Sequence, residues 1–444
     1  MTAPHPPRSA TPCAIPDLPL ANEIAGIDAC VHCGFCLQSC PTYLTLADEN
    51  DSPRGRIVLM RALVEGTLPV GDPDVRTHID RCLGCRACET VCPSGVPYGQ
   101  MLEATRATLT TNERHAPIAR AILFAFARPA LLSLAMLGGR VARALRISAL
   151  LSRLPGRFGF AMAMLEATRS PVRRQRYTPR GDGSRGTATL LTGCVMEGLF
   201  TETNRATERT LAANDYAMVH TEGQVCCGAL HAHAGDLETA RRLARRNIAA
   251  FEASGAEYVV ANAAGCGAMM KEYEHLLERD PAWRDRAARF STTVRDVSEL
   301  LALAGPRSGG PVERTVTYDA PCHLVHAQRI TSPPLRVLGA VPALTLVPLE
   351  GSEHCCGSAG IYNLIEPDVS ATVLAPKLAN IADTHASLVA TGNPGCLMQI
   401  GAGLRQVGSA ARVVHPVDLL DASYAAAGAA GLRELSPDET DQLP

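Results

Sequence analysis

Two copies of one cysteine spacing limit what this chain can fold into more than anything else in it. Cys30-x2-Cys33-x2-Cys36-x3-Cys40-Pro41 recurs as Cys82-x2-Cys85-x2-Cys88-x3-Cys92-Pro93. Three thiolates on one tight loop can grip three irons of a cube, and the fourth cysteine, carried past the loop, points away and ligates a neighbouring cube. Proline after it redirects the chain. The spacing therefore predicts two interlocked [4Fe–4S] clusters. One takes Cys30, Cys33, Cys36 and Cys92; the other takes Cys82, Cys85, Cys88 and Cys40. A pair of zinc sites or of buried thiol nests is the plainer alternative, but zinc ligand sets usually lack this triple spacing and its proline.

Seventeen cysteines in 444 residues point the same way. A disulfide-rich secreted chain is normally small and follows an apolar export segment, whereas the Pro-rich stretch Met1–Pro19 has no apolar core. Reduced thiols in the cytoplasm are expected, and many thiols in a reducing compartment usually mean metal. The length suggests two to four domains. A formal net charge of -2 argues against a nucleic-acid binder. Among 42 basic residues only Lys271 and Lys377 are lysines.

The organisation expected is α+β and multidomain. Residues 1–22 read as a disordered N-terminus, 23–112 as a helical domain carrying both clusters, and 113–186 as a basic helical connector. Two tandem α/β cysteine-rich modules follow, at 187–305 and 306–430, and 431–444 form a polar tail. The duplication is visible in the cysteines. Cys194, Cys226, Cys227 and Cys266 recur as Cys322, Cys355, Cys356 and Cys396, at offsets of 128, 129, 129 and 130 residues, the register of a repeated unit. Strand-like segments at 188–193, 257–263, 314–319, 343–348 and 387–391 alternate with helical ones such as 237–253, the pattern of parallel α/β units. Open parallel sheets carry their sites beyond the carboxyl ends of strands, which is where these cysteines fall.

Cys226-Cys227-Gly228 and Cys355-Cys356-Gly357 are adjacent thiol pairs followed by glycine. Neighbouring cysteines do not readily close a relaxed disulfide, but they can offer two thiolates to one centre. His323, His326 and His354 lie near the second set, and His231 and His233 near the first, so imidazole–thiolate zinc ligation is a further option. The pattern resembles the cysteine-rich CCG domain found twice in heterodisulfide reductase subunits and in iron–sulfur subunits of several dehydrogenases. That family's full motif ends in Cys-x-x-Cys, whereas Met269 and Gln399 stand at the last positions here. A further cluster, zinc, or inert buried thiols all remain open for Cys194, Cys226, Cys227, Cys266, Cys322, Cys355, Cys356 and Cys396.

The 41 residues between Cys40 and Cys82 resemble the α-helical ferredoxin domain of respiratory complexes. The whole order, two ferredoxin motifs and then two CCG modules, resembles the iron–sulfur subunits of bacterial glycolate oxidases over roughly residues 25–425. The resemblance is carried by Ala29-Cys30-Val31-His32-Cys33-Gly34-Phe35-Cys36, Pro53-Arg54-Gly55-Arg56, His78-Ile79-Asp80-Arg81-Cys82, Gly265-Cys266-Gly267-Ala268, Lys271-Glu272-Tyr273 and His354-Cys355-Cys356-Gly357-Ser358-Ala359-Gly360. It implies an electron-transfer subunit that takes electrons from FAD on partner flavoprotein subunits, which oxidise glycolate or D-lactate, and passes them toward the quinone pool. No Gly-x-Gly-x-x-Gly, Gly-x-Ser-x-Gly or His-Glu-x-x-His motif occurs, so no flavin or hydrolytic site is expected on this chain. Anaerobic glycerol-3-phosphate dehydrogenase and heterodisulfide-reductase-like complexes share the domain order.

Two basic features remain. Arg54 and Arg56 lie between the motifs, where positive charge would raise a cluster's potential, although an ordinary helix-start salt bridge is the simpler reading. From Ala116 to Gly181 there are twelve arginines and one acid, Glu166, among apolar stretches. Such a segment suits an anionic membrane surface or an acidic partner, or is simply a solvated basic face. Arg128 and Arg140 leave too short an apolar run for a spanning helix. A cytoplasmic chain, peripheral on the inner membrane face, is the expectation.

Overall fold

The computed structural model of the chain describes residues 13–111, 116–172, 177–179, 181–428 and 431–436, with 439 and 443. They form two compact units. The first comprises the described residues before Ala116 together with His233–Gly235, and the second comprises the remainder.

The first unit is helical. Ser52 Oγ accepts from Gly55 N–H (3.0 Å) and starts the helix Pro53–Glu65, which Gly66 ends in a left-handed conformation. Asp72 caps Pro73–Asp80 in the same way, and Tyr98–Thr110 closes the unit. Ile57, Met60 and Leu63 recur at helical spacing and are buried against Leu20, Ile27, Ile79 and Met101. Each such side chain contributes roughly 1.5–3 kcal/mol on burial.

The N-terminus differs from expectation. Residues 1–12 lie outside the described residues, but 13–22 are ordered. Pro19–Glu23 forms a short 3-10 helix, Leu20 is fully buried, and its N–H donates to Thr108 Oγ1 (3.0 Å). The prolines that suggested disorder flank an apolar anchor. Of the C-terminal tail, residues 437, 438, 440–442 and 444 lie outside the described residues.

The second unit begins with four helices, Pro117–Phe126, Pro129–Ala144, Ile147–Leu151 and Gly156–Ala167. Two parallel four-stranded sheets follow, so mixed helical and α/β architecture is as expected. The first has β1 (Thr187–Leu190), β2 (Ala217–Met218), β3 (Tyr258–Ala261) and β4 (Val294–Asp296) in the order β2-β1-β3-β4. The second has β5 (Arg314–Tyr318), β6 (Leu344–Val347), β7 (Leu388–Ala390) and β8 (Arg412–Val414) in the order β6-β5-β7-β8. The two orders are the same order, 2-1-3-4, twice. The repeat inferred from cysteines is thus also a repeat of topology. Among the described residues no single helix is long and apolar enough to cross a membrane.

Candidate metal centres

The two cysteine loops of the first unit share an unusual backbone. His32 and Gly34 have φ of 55° and 87°, and their counterparts Gly84 and Arg86 have φ of 62° and 64°. Each loop therefore turns left-handed at the second and fourth residue after its first cysteine. Successive turns of this kind aim backbone N–H groups into one concavity, a form suited to anionic iron–sulfur groups. Two of the four positions carry side chains, which costs about 1–2 kcal/mol each. Such strain at matching places marks a site rather than an ordinary turn. Arg86 is held there by Glu89 (2.9 Å), whose other oxygen accepts from Gly99 N–H (2.6 Å).

Two cavities open beside the loops. One is lined by Cys30, Cys33, Cys36, Cys88 and Cys92, with Phe35, Arg54 and Tyr98. The other is lined by Cys40, Cys82, Cys85 and Cys88, with Arg56 and Tyr98. Cys40 donates to Asp51 O (3.7 Å), and Cys82 Sγ accepts from Gly84 N–H (3.4 Å) and the Tyr98 hydroxyl (3.7 Å). Burial pushes the Cys36 thiol up to about 11, with Cys30 adding to it. Burial also lifts Cys88 well above the ordinary thiol range, and Cys85 and Cys82 add to that. Thiols so packed keep their protons against water; a soft metal group that replaces those protons suits the donor set. The residues present fit [4Fe–4S] groups.

Sequence reasoning left the arginines undecided, and they divide. Arg54, part-exposed, pairs with Glu49 (2.5 Å) at the helix start. Arg56 is fully buried and donates to His78 O (2.6 Å), Thr42 Oγ1 (3.0 Å) and Asp51 Oδ1 (3.1 Å). Asp51 is also buried, and Arg81 reaches its other oxygen (3.1 Å). Burial works against the Arg56 charge, but the Cys82, Tyr98, Cys40 and Asp51 groups beside it hold its pKa above the usual value. Tyr98 and Asp51 carry no sequence signal, because their partners are 5 to 30 residues away.

In each α/β module, four thiols meet beyond the strand ends. In the first, Cys194 and Cys226 lie 3.6 Å apart, and the chain of contacts continues through Cys227 to Cys266. Thiol hydrogen bonds from Cys194 and Cys227 draw the Cys226 pKa well down and raise those of the donors. In the second, Cys322 adjoins Cys355, Cys355 adjoins Cys356, and Cys356 lies 3.4 Å from Cys396. All seventeen thiols are free. Gly228 and Gly357 have φ of 91° and 81°, so each thiol pair ends in a turn that glycine makes cheaply.

The two modules brace this shared skeleton differently. In the first, Asn247 accepts from Val225 N–H (2.8 Å) and donates to Cys226 O (3.1 Å), while the Tyr273 hydroxyl donates to Cys227 O (2.7 Å). In the second, Lys377 donates to Asp319 (2.5 Å), Gly351 O (3.1 Å) and Ser352 O (3.0 Å), and Asp319 also accepts from Thr391 (2.8 Å). Met269, at one of the two positions where a fifth cysteine was expected, is buried in apolar core. Gln399, at the other, accepts from Asn363 (2.8 Å) and donates to Ser370 (2.9 Å), whose hydroxyl donates to Gly357 O (2.8 Å). Of the histidines, His323 Nδ1 lies 3.6 Å from Cys322 Sγ. His231 and His326 bond the carbonyls of Leu123 and Glu353, and the exposed His354 lies 4.0 Å from the Glu353 carboxylate.

Known proteins share this arrangement. A family described as "4Fe-4S dicluster domain" matches residues 26–96, and one described as "Cysteine-rich domain" matches 188–271 and 316–401. A Bacillus subtilis protein named probable glycolate oxidase iron-sulfur subunit is 38% identical over 88% of this chain and 92% of its own length. The chain belongs to the glycolate oxidase iron–sulfur subunit family. The Escherichia coli glycolate oxidase iron-sulfur subunit is 33% identical over 83% of this chain and 88% of its own. Lactate utilization protein A of an Exiguobacterium strain is 30% identical over 52% of this chain and 96% of its own. That relative is about half as long, so the family likeness of the full chain rests on the longer two.

Proposed function

We propose that this chain relays electrons within a flavin-dependent glycolate or D-lactate dehydrogenase. It would take them from FAD on partner flavoprotein subunits and pass them toward the quinone pool. The observation that carries the reading is the pair of cavities, each lined by three cysteines of one loop together with cysteine from the other motif, Cys92 and Cys88 in the first and Cys40 in the second. Cys30, Cys33, Cys36 and Cys92 would hold one [4Fe–4S] cluster; Cys82, Cys85, Cys88 and Cys40 would hold the second. When bound, the two clusters supply one-electron transfer. The division into segments 1–22, 23–112, 113–186, 187–305, 306–430 and 431–444 belongs to the same proposal.

The residues have distinct tasks. Left-handed turns at His32, Gly34, Gly84 and Arg86 would present backbone amides to a bound anionic cluster. Tyr98 stands in both cavities, and its hydroxyl donates to Cys82. Arg56 supplies a fixed buried positive charge to the second cluster, which favours its reduced form. Cys33 is exposed and flanked by Val31 and Phe35, which are 68% and 67% exposed. The first cluster would therefore face the redox partner, with apolar contacts suited to a transient encounter. The four thiols of each CCG module would hold a further metal centre, iron or zinc.

Anaerobic preparation of the native complex tests the reading. About eight irons per chain in the cubane sites, and bleaching of the iron–sulfur absorbance by glycolate or D-lactate, are expected. Zinc in the N-terminal sites and no paramagnetic signal after reduction would refute it. Iron analysis of variants lacking the eight N-terminal cysteines reports separately on the CCG modules. The lactate-utilization relative keeps D-lactate in the comparison; failure of both substrates in an iron-loaded complex would shift the reading to another CCG-domain dehydrogenase.

A further inference from the structure

Single exposed apolar residues are ordinary on a protein surface, but a concentration of them marks an interaction site. Of the eighteen large apolar side chains left exposed among the described residues, eleven fall in the 41 residues from Ile118 to Phe158. Phe124, Leu134, Leu145, Leu150 and Phe158 are each more than half exposed. They lie on the helices Pro117–Phe126, Pro129–Ala144, Ile147–Leu151 and Gly156–Ala167, which precede the sheets of the second unit.

The charge on this stretch has one sign. Arg120, Arg128, Arg140, Arg146, Arg153 and Arg157 are all exposed. None pairs with a carboxylate of the described residues, and the sequence holds no acid between Ala116 and Glu166. Arg128 lays its guanidinium over the Phe124 ring (3.4 Å) and donates to Phe124 O (3.1 Å), so cation and aromatic share one surface patch. Several arginines elsewhere in the second unit do pair with acids, such as Arg205 with Glu197 and Glu208, and Arg286 with Glu252.

The first two helices together are as apolar as a spanning segment, but a bend of 107° separates them and neither is long enough alone. They cannot thread a bilayer as one rod. They can lie along its surface, apolar side chains in the acyl boundary and guanidinium groups at the phosphates.

We propose that the helices between Ile118 and Phe158 form an in-plane dock for an anionic lipid bilayer. Charge complementarity selects this occupant, because six unpaired cations around an apolar centre match a phosphate-lined hydrocarbon surface. A water-soluble protein partner would place acidic side chains on the same ground, and the test separates the two. The proposal stands on these helices and not on the electron route.

The experiment is flotation of the purified native complex and of the full chain with vesicles. One set contains phosphatidylglycerol in phosphatidylcholine; the other is phosphatidylcholine alone. Binding to the anionic set, weakened by salt, is expected. Arg146→Ser with Arg153→Ser should lower partition roughly fivefold for each charge removed. Leu134→Ser with Leu145→Ser should abolish binding while leaving iron content and thermal melting unchanged. Absence of binding to anionic vesicles, equal binding to both sets, or indifference to these variants would overturn the proposal. So would protection of Phe124–Leu150 amides by a partner subunit in the lipid-free complex.

Discussion

The buried ion pair of the second module gives the sharpest test of how the CCG skeleton is held. Lys377 and Asp319 have side chains 2% and 1% exposed, with Nζ and Oδ1 2.5 Å apart. Burial works against the ammonium, and the Asp319 charge more than offsets it, so the Lys377 pKa is raised. Lys377→Met leaves Asp319 with the Thr391 hydroxyl and takes one of two donors from each of the Gly351 and Ser352 carbonyls, which keep the N–H groups of His354 (3.0 Å) and Ala320 (3.1 Å). An uncompensated buried charge costs about 3–5 kcal/mol. Asp319→Leu strands the ammonium at a similar cost. Leu191 already occupies the matching place in the first module: its N–H donates to Val260 O as Asp319 N–H donates to Ala390 O, both at 2.9 Å. The double variant removes both charges and loses three hydrogen bonds, those to Gly351 O, Ser352 O and from Thr391, each worth roughly 1 kcal/mol. The singles should therefore sum to about 6–10 kcal/mol and the double cost about 2–3, a non-additivity of at least about 3 kcal/mol. A chain of several units does not melt in one step, so the assay is amide exchange across a urea series, read on residues 314–322 and 344–360. Lys377→Met costing under about 1 kcal/mol, or additive variants, would refute the reasoning.

Three further outcomes are expected. Cys40→Ser should extinguish the same paramagnetic signal as Cys82→Ser, and Cys92→Ser the same as Cys30→Ser, each leaving roughly four irons; pairing by loop instead would disprove the interlock. Gly357→Ala should destabilise more than Gly228→Ala, since its added Cβ would sit 2.6 Å from Ser370 O whereas at Gly228 the nearest atom is 3.4 Å away; amide exchange should show about 1 kcal/mol from backbone strain at both and about 1–3 kcal/mol more at Gly357. His415 is buried, and burial lowers its pKa from 6.5 to about 4 while its ring nitrogen bonds Asn262 O (2.9 Å). The unfolded chain then binds the extra proton first, so about 3 kcal/mol of stability is present above pH 6.5 and is lost as pH falls toward 4. Urea midpoints of His415→Asn should lose most of that slope.

What was legible in the sequence depended on range. Cysteine spacing revealed both loops and the duplication, because a cluster dictates how far apart its ligands lie along the chain. The inner strands β1, β3, β5 and β7 were legible as apolar runs. Ala217–Met218, Val294–Asp296 and Arg412–Val414 were not, being two or three residues long and too short to show a period. Residues 13–22 misled because prolines signal loops, while Leu20, with Ile15 and the Ala14 N–H bonded to Val64 O (2.8 Å), anchors the segment. The burial of polar residues was hidden, even for Arg56, which drew attention only as a charge between the motifs. Arg56, Asp51, Asp319 and Lys377 look like surface residues until their partners, 5 to 58 positions away, are brought beside them.

The duplication separates what a thiol site requires from what merely supports it. Both modules keep the strand order, the thiol after the first strand, the vicinal pair ending in a left-handed glycine, and the thiol on the helix after the third strand. These are backbone requirements, and any metal held by four thiols would impose them equally on both halves. The braces, Asn247 with Tyr273 in one and Lys377 with Gln399 in the other, hold the same loop through different backbone groups and with unrelated chemistry: Cys226 O and Cys227 O in the first module, Gly351 O, Ser352 O and, through Ser370, Gly357 O in the second. A neutral amide and hydroxyl can be lost with about 1–3 kcal/mol each, whereas a buried ammonium–carboxylate pair cannot lose one member so cheaply. The second module should then be the more brittle of the two under single substitution, although its skeleton is the same. Tyr273→Phe, which removes one hydroxyl 2.7 Å from Cys227 O, should leave the first module folded with a loss near 1–2 kcal/mol. If Tyr273→Phe instead cost as much as Lys377→Met, bracing chemistry would not be what distinguishes the two halves.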